Sequence, residues 1–289
     1  MKITNIHPRW GSIIEFNNPI DFFKQDKSHW KNLIYNRKLL VFKRMTFDLI
    51  DYMKFGHHFG TPWPADAYYY SHEVSVTAKD VDGTEYVSSK FSNKITNINK
   101  IPNTEMAWHA DIPNRRIKPF PHRSLWIVKN PNPEFSGKTK WLNIDLDCCE
   151  QYLTDELKAL LPRVTIQQQS WYTPGTDLQM HNFVKIHPVT GQRSLRLNYY
   201  NDPHKGRTGA WIKNVYIDGQ EQSDCSLIQQ YIDCLLKHEE LFYCHQWDDM
   251  DLIIYDNYSF IHNRTALVLG EDTTSDERMF YRTNIDHEV

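Results

Sequence analysis

Two histidines and one carboxylate in this chain have the types and spacing of a metal centre. His109-Ala110-Asp111 lies within MAWHADIP (106–113). On a strand, residues two apart point to the same face, so His109 and Asp111 can grip one ion side by side. The tripeptide alone is a weak signal. With 14 His and 36 acidic residues in 289, about two H-x-[D/E] matches are expected by chance. The other match is His238-Glu239-Glu240, at the end of an amphipathic run where positions two apart diverge by about 200° around a helix. His238 is therefore discounted and His109 kept. His262, in LIIYDNYSFIHNR (252–264), follows an apolar run and an Asp-Asn turn signal. Two His and one carboxylate on one face form the facial triad of non-haem Fe(II), with three positions left open. The plainer reading of His262 is a packed core or surface histidine. Arg278 and Arg282 lie four apart in RMFYRTNI (278–285), about 13 Å along one face of a strand. A guanidinium in that apolar setting wants a carboxylate, phosphate or sulfonate, or an ion pair with one of the chain's own acids.

These residues need elements to hold them. KLLVFKR (38–44), SLWIVKN (124–130), TKWLNI (139–144), DLIIYDN (251–257) and RMFYRTNI (278–285) read as strands. NPNPEFSGK (130–138) reads as a loop, and HPVTG (187–191) as a turn between two strands. Helical spacing marks MTFDLIDYMKFGHHFG (45–60), with Gly60 as its stop, and SLIQQYIDCLLKHEE (226–240). Many short strands with few helices predict an α+β, mainly β fold: a β-sandwich or jelly-roll core flanked by helices. With no linker or repeat, residues 1–289 read as a single domain.

Composition removes several function classes. Lys+Arg is 33 against Asp+Glu 36, and no basic face stands out, which argues against nucleic acid as a partner. No apolar run approaches the roughly 18–20 residues of a membrane span. The N-terminus, MKITNIHPRWGSIIEF, has no apolar signal core. Five cysteines, an odd number without a CxxC, suit a reducing cytoplasm.

Six segments, in one order from about residue 37 to 285, resemble the TauD/TfdA family of Fe(II)/2-oxoglutarate-dependent dioxygenases. LLVFKRMTFDLIDYMKFGHHFG is similar to the family's early strand, helix and Phe-Gly end. MAWHAD is similar to its W-H-x-D, FSGKTKW to its G-G-x-T-x-W loop, and KIHPVTGQRSLRLN to its H-P-x-T-G hairpin. HQWDDMDLIIYDNYSFIHNR is similar to its W-x-x-G-D-L-x-x-W-D-N…H segment, and ERMFYRTNI to its closing R-x-x-x-R strand.

The resemblance implies a double-stranded β-helix with His109, Asp111 and His262 as iron ligands. It implies Thr139 and Arg278 as the 2-oxoglutarate contacts. Arg282 and, more loosely, Tyr68 fall on substrate positions. The implied reaction consumes O2 and releases succinate and carbon dioxide. It hydroxylates or desaturates an unactivated C–H bond of a small polar substrate, carboxylate- or sulfonate-bearing. A carboxylate at 111 argues against halogenation, which in relatives goes with a small residue there. Three features depart from the pattern. Met250 replaces a glycine, Tyr255-Asp256-Asn257-Tyr258 replaces W-D-N-R, and the loop at 265–277 is longer. The first two read as packing changes. Two alternatives share the His/Asp/His site: a zinc-type hydrolase and a non-catalytic ligand-binding β-barrel. Arg115, Arg116, Trp171, Tyr199 and Tyr200 are weaker candidates near the site, better read as turn or core residues. A homo-oligomer is compatible with the family.

Overall fold

Strict alternation of side chains along the strands builds two different layers from one set of residues. The computed structural model describes residues 1–63, 73–94, 108–111, 122–130, 137–170, 180–198, 210–265 and 277–286. The first half holds β1 (Lys2–Asn5), β2 (Ser12–Glu15), α1 (Lys27–Arg37), β3 (Leu39–Lys43), α2 (Leu49–Gly56), β4 (Thr61–Trp63), β5 (Glu73–Lys79), β6 (Glu85–Lys94), β7 (His122–Lys129) and β8 (Thr139–Asn143). Next come α3 (Leu146–Cys149), α4 (Asp155–Leu160), β9 (Val164–Ser170), β10 (Met180–Asn182), β11 (Val184–Ile186), β12 (Arg193–Leu195), β13 (Ala210–Ile217) and β14 (Gln220–Glu221). The chain closes with α5 (Ser226–Leu235), β15 (Phe242–His245), β16 (Leu252–Asp256), β17 (Phe260–Arg264) and β18 (Glu277–Asp286).

A nine-stranded sheet runs β1-β2-β3-β16-β7-β18-β6-β5, with β4 added onto β18. The β2–β3 pair is parallel, and β16 and β18 pair antiparallel with their neighbours. A three-stranded sheet runs β15-β8-β17. On β3 and β16, Leu40, Phe42, Leu252 and Ile254 face outward into a cluster with Phe22, Trp30, Phe55 and Phe59. Leu39, Val41, Ile253 and Tyr255 face the opposite way and pack with Trp141, Trp247 and Phe260. The second group joins the nine-stranded sheet to the three-stranded one. Leu142 and Ile261, one residue out of phase with Trp141 and Phe260, turn away to pack with Ile166, Val215 and the α5 residues Ile228 and Ile232. The architecture is mainly β, with helices on the outside.

The expected strands are found where the apolar runs lie. HPVTG joins β11 to β12 as a hairpin, and the predicted loop at 130–138 lies mostly outside the described residues. Both expected helices are shorter than their periodicity. α2 starts only after Asp48, whose carboxylate accepts the Asp51 N–H, and it ends at Gly56 rather than near Gly60. Gly60 has another reason. A Cβ there would lie 1.9 Å from the Asp286 carbonyl oxygen, so this glycine allows the chain to cross β18 closely. α5 ends at Leu235, and Glu239–Leu241 forms a separate 3-10 turn after His238. His238 is thus off the helix on which it was expected. All five cysteines are free thiols. No helix of the described residues is long and apolar enough to cross a membrane.

Candidate metal centre

β17 carries His262, and its neighbours in register define the site. His109 pairs with His262 through two backbone hydrogen bonds, His109 N–H to His262 O at 3.0 Å and His262 N–H to His109 O at 2.8 Å. Directly opposed residues share a face, and the two imidazoles stand 4.3 Å apart between centroids. Asp111 follows His109 by two and returns to the same side. Its Oδ2 lies 3.6 Å from His262 Nε2. One ligand atom from each of His109, Asp111 and His262 lies within 4.8 Å of the others. His109 is buried; Asp111 and His262 are partly exposed, with side chains 16% and 12% accessible. Two imidazoles and one carboxylate, partly open to solvent, are a donor set that fits Fe(II).

The turn after β16 holds Asp111 in place. The Asp111 N–H donates to Asn257 Oδ1 at 3.0 Å, and Asn257 Nδ2 donates to the Asp111 carbonyl at 2.8 Å. Asp256 keeps this turn in shape, accepting from the Tyr258 N–H and the Ser259 hydroxyl. Burial by itself would raise the Asp256 carboxyl, but His187, the nearby His122 and Ser259 outweigh it and hold it below the usual carboxylate range. The hydroxyl of Tyr255 donates to Asp111 Oδ2.

On β8, Thr139 stands opposite Arg264, as Trp141 stands opposite His262. Thr139 and Arg264 therefore share the metal-facing side. Thr139 is buried, and its oxygen accepts the Trp247 indole N–H at 2.8 Å. Burial lowers the Arg264 guanidinium from its ordinary value. Arg282 pairs with Leu125 of β7, in phase with buried Phe280 of the inner layer. The backbone of Arg278 lies in β18 opposite Asn93; its side chain falls outside the described residues, as do Tyr68, Arg115, Arg116, Trp171, Tyr199 and Tyr200.

The family model described as taurine catabolism dioxygenase TauD, TfdA family, matches residues 2–284. The chain belongs to the TauD/TfdA family. It is an Fe(II)/2-oxoglutarate-dependent dioxygenase and uses Fe(II), 2-oxoglutarate and O2. The hydrolase and non-catalytic readings are thereby set aside. A comparison with curated proteins finds no match. Among solved structures, the chain is similar to a taurine dioxygenase from Burkholderia xenovorans, with 17% identity, TM-score 0.66, and 100% and 91% of the two chains covered. It is similar to PvcB from Pseudomonas aeruginosa, with 17% identity, TM-score 0.68, and 99% and 91% covered. It is also similar to AAD-2 in complex with Mn(II) and N-oxalylglycine, with 16% identity, TM-score 0.65, and 100% and 98% covered. At such identities the likeness is one of fold.

The two departures read as packing changes do pack, Met250 against the outer cluster and Tyr255 within the inner one, and each does something more. Met250 takes a left-handed backbone, φ 62°, so the glycine conformation persists with a Cβ in it. Tyr255 presents a donor to Asp111, the carboxylate of the candidate metal site. Asn257, Trp247 and Arg264 were not singled out by sequence reasoning. Asn257 was visible as half of a turn signal and as the Asn of the W-D-N match, and Trp247 as part of the W-x-x-G-D-L match, neither with a role attached.

Proposed function

We propose that this TauD/TfdA enzyme oxidises an unactivated C–H bond of a small polar substrate bearing a carboxylate or sulfonate. The reaction is hydroxylation or desaturation, with release of succinate and carbon dioxide. It takes place in one domain spanning residues 1–289, on a double-stranded β-helix core, in the cytoplasm. His109, Asp111 and His262 ligate the iron. Thr139 and Arg278 hold 2-oxoglutarate, and Arg282 with Tyr68 meets the substrate.

One observation carries this reading. Three residues from two distant parts of the chain bring one ligand atom each within 4.8 Å. Bound Fe(II) would supply the activation of O2, coupled to decarboxylation of 2-oxoglutarate. The chain's own residues position the reactants. Because Thr139 Oγ1 already accepts from Trp247, its own proton is available to donate to a carboxylate. Arg282 sets a guanidinium in line with the inner face, which suits an anionic substrate group. Trp141, fully buried, stacks beside His262 at 6.5 Å and 27° and helps keep water from that side.

Anaerobic titration of the apoprotein with Fe(II) and 2-oxoglutarate should develop the weak visible absorption of an iron–2-oxo acid chelate. His109→Ala should abolish it and Arg278→Ala should weaken it. Small carboxylates and sulfonates should then be screened for perturbation of the band, with the response lost in Arg282→Gln. Iron binding without a chelate band would overturn the Thr139/Arg278 assignment. Perturbation by neutral compounds alone would overturn the substrate class.

A further inference from the structure

We propose that Tyr255 is a positioning residue for the metal-binding carboxylate: its phenol fixes the direction in which Asp111 Oδ2 faces the two imidazoles. This rests on the ligation by His109, Asp111 and His262 proposed above.

Tyr255 reaches the site from the nine-stranded sheet, whereas His262 belongs to the three-stranded one. It is wholly buried. Its ring lies edge-on to Trp141 at 5.8 Å and to His262 at 5.4 Å, so its direction is fixed by packing. The hydroxyl donates to Asp111 Oδ2, the oxygen nearest His262 Nε2. Asn257 clamps the Asp111 backbone through both its N–H and its carbonyl. That clamp leaves the two side-chain torsions of Asp111 unset. The phenol holds one of its oxygens.

The consequence lies in the direction of the carboxylate. Two imidazoles and one carboxylate would hold Fe(II) together only while the carboxylate oxygen stays turned toward the imidazoles. A phenol tied to Oδ2 resists its turning away. The matching position in the W-D-N segment is Trp, so a phenol donor here is a departure of this chain from the pattern.

The test is titration of the apoprotein with Co(II), whose electronic spectrum reports its ligand set. Tyr255→Phe keeps the ring and removes the donor. It should weaken Co(II) binding by about 10–100-fold, the usual effect of deleting a hydrogen bond to a metal ligand. At saturating Co(II) its d–d absorption should differ from that of the parent. In an Asp111→Ala background the same substitution should change affinity by less than about twofold, because its partner is gone. Equal losses in both backgrounds would mean a structural role only and would overturn the proposal. So would an unchanged affinity in Tyr255→Phe. If Asp111→Ala binds no Co(II), the spectrum decides: an altered d–d band supports the proposal and an unaltered one overturns it. Failure of the unmodified chain to bind Co(II) would overturn the metal site itself, whereas binding weakened by His109→Ala with Tyr255→Phe unaffected would overturn only the role of Tyr255.

Discussion

On the outer face of the nine-stranded sheet, Phe22 packs its ring within 6.5 Å of Phe16, Trp30, Phe42, Phe55 and Phe59. On the inner face of the same sheet, Tyr255 lies among Trp141, Trp247 and Phe260. Both layers are buried and aromatic. They differ at the polar tips of the rings. Outside, the indoles of Trp30 and Trp126 donate to the backbone carbonyls of Phe22 and Met45. Those bonds close the structure on itself. Inside, Trp247 donates to Thr139 and Tyr255 to Asp111. Those bonds end on side chains at the candidate metal centre. One residue type thus serves as a plug on one face and as a positioning device on the other, and burial alone does not distinguish them.

The largest effect that would expose this difference is on metal binding. His262→Ala should abolish the Fe(II)–2-oxoglutarate chelate absorption while costing no more than about 1–2 kcal/mol of stability in urea unfolding. A global loss of fold in this variant would show that the inner layer is structural after all. The mirror experiment follows. Phe22→Ala should destabilise by about 3–5 kcal/mol, through lost burial and the cavity left behind. The chelate signal per folded molecule should stay unchanged. A large loss of that signal at low temperature, with the protein folded, would break the division between the layers.

A smaller effect tests the link between them. Gly60→Ala places a Cβ against the Asp286 carbonyl and should cost about 1–3 kcal/mol through overpacking. β18 carries Arg278 and Arg282, so displacement of its end should also raise the KM for 2-oxoglutarate modestly. A Gly60→Ala protein that melts with the parent would remove the close crossing as the reason for this glycine.

What the sequence reveals follows the same division. Strands with alternating or wholly apolar patterns, such as β3 and β16, announce themselves because burial is written into their residues. α1 does not. Only Trp30 and Ile34 of its eleven residues are buried, so no apolar stripe marks it, and β1 is exposed throughout. The triad is legible because H-x-D and the later His, each weak alone, sit in two of six segments that match the family in order. The supports of Asp111 are not. Tyr255 and Asn257 lie 144 and 146 residues from the atoms they hold, and no local pattern encodes that pairing. A tyrosine in an apolar strand reads as packing until its hydroxyl is given a direction.

One buried polar group faces neither layer. Lys185 of β11 is buried and lines a narrow cavity with Gln168, Arg196 and Tyr258. Its ammonium stands 5.3 Å from the Tyr258 ring centroid. Burial, with some help from Arg196 and against Asp256, lowers its pKa to about 7 from 10.5. The sign is then fixed. Between about pH 7 and 10.5 the unfolded chain holds a proton that the folded chain lacks, so stability rises with pH across that window. Below it both states are protonated and the desolvation penalty is felt in full. Lys185→Met removes the penalty. Relative to the parent, the variant should gain on the order of 3–4 kcal/mol at pH 6, at about 1.4 kcal/mol per pKa unit less the lost cation–π contact. The gain should fade toward pH 10. Urea midpoints of both proteins at the two pH values measure it. A pH slope that survives the substitution unchanged would assign it to other groups. A slope that disappears would show that, unlike Thr139 or Asp111, Lys185 is a buried polar group whose presence costs stability.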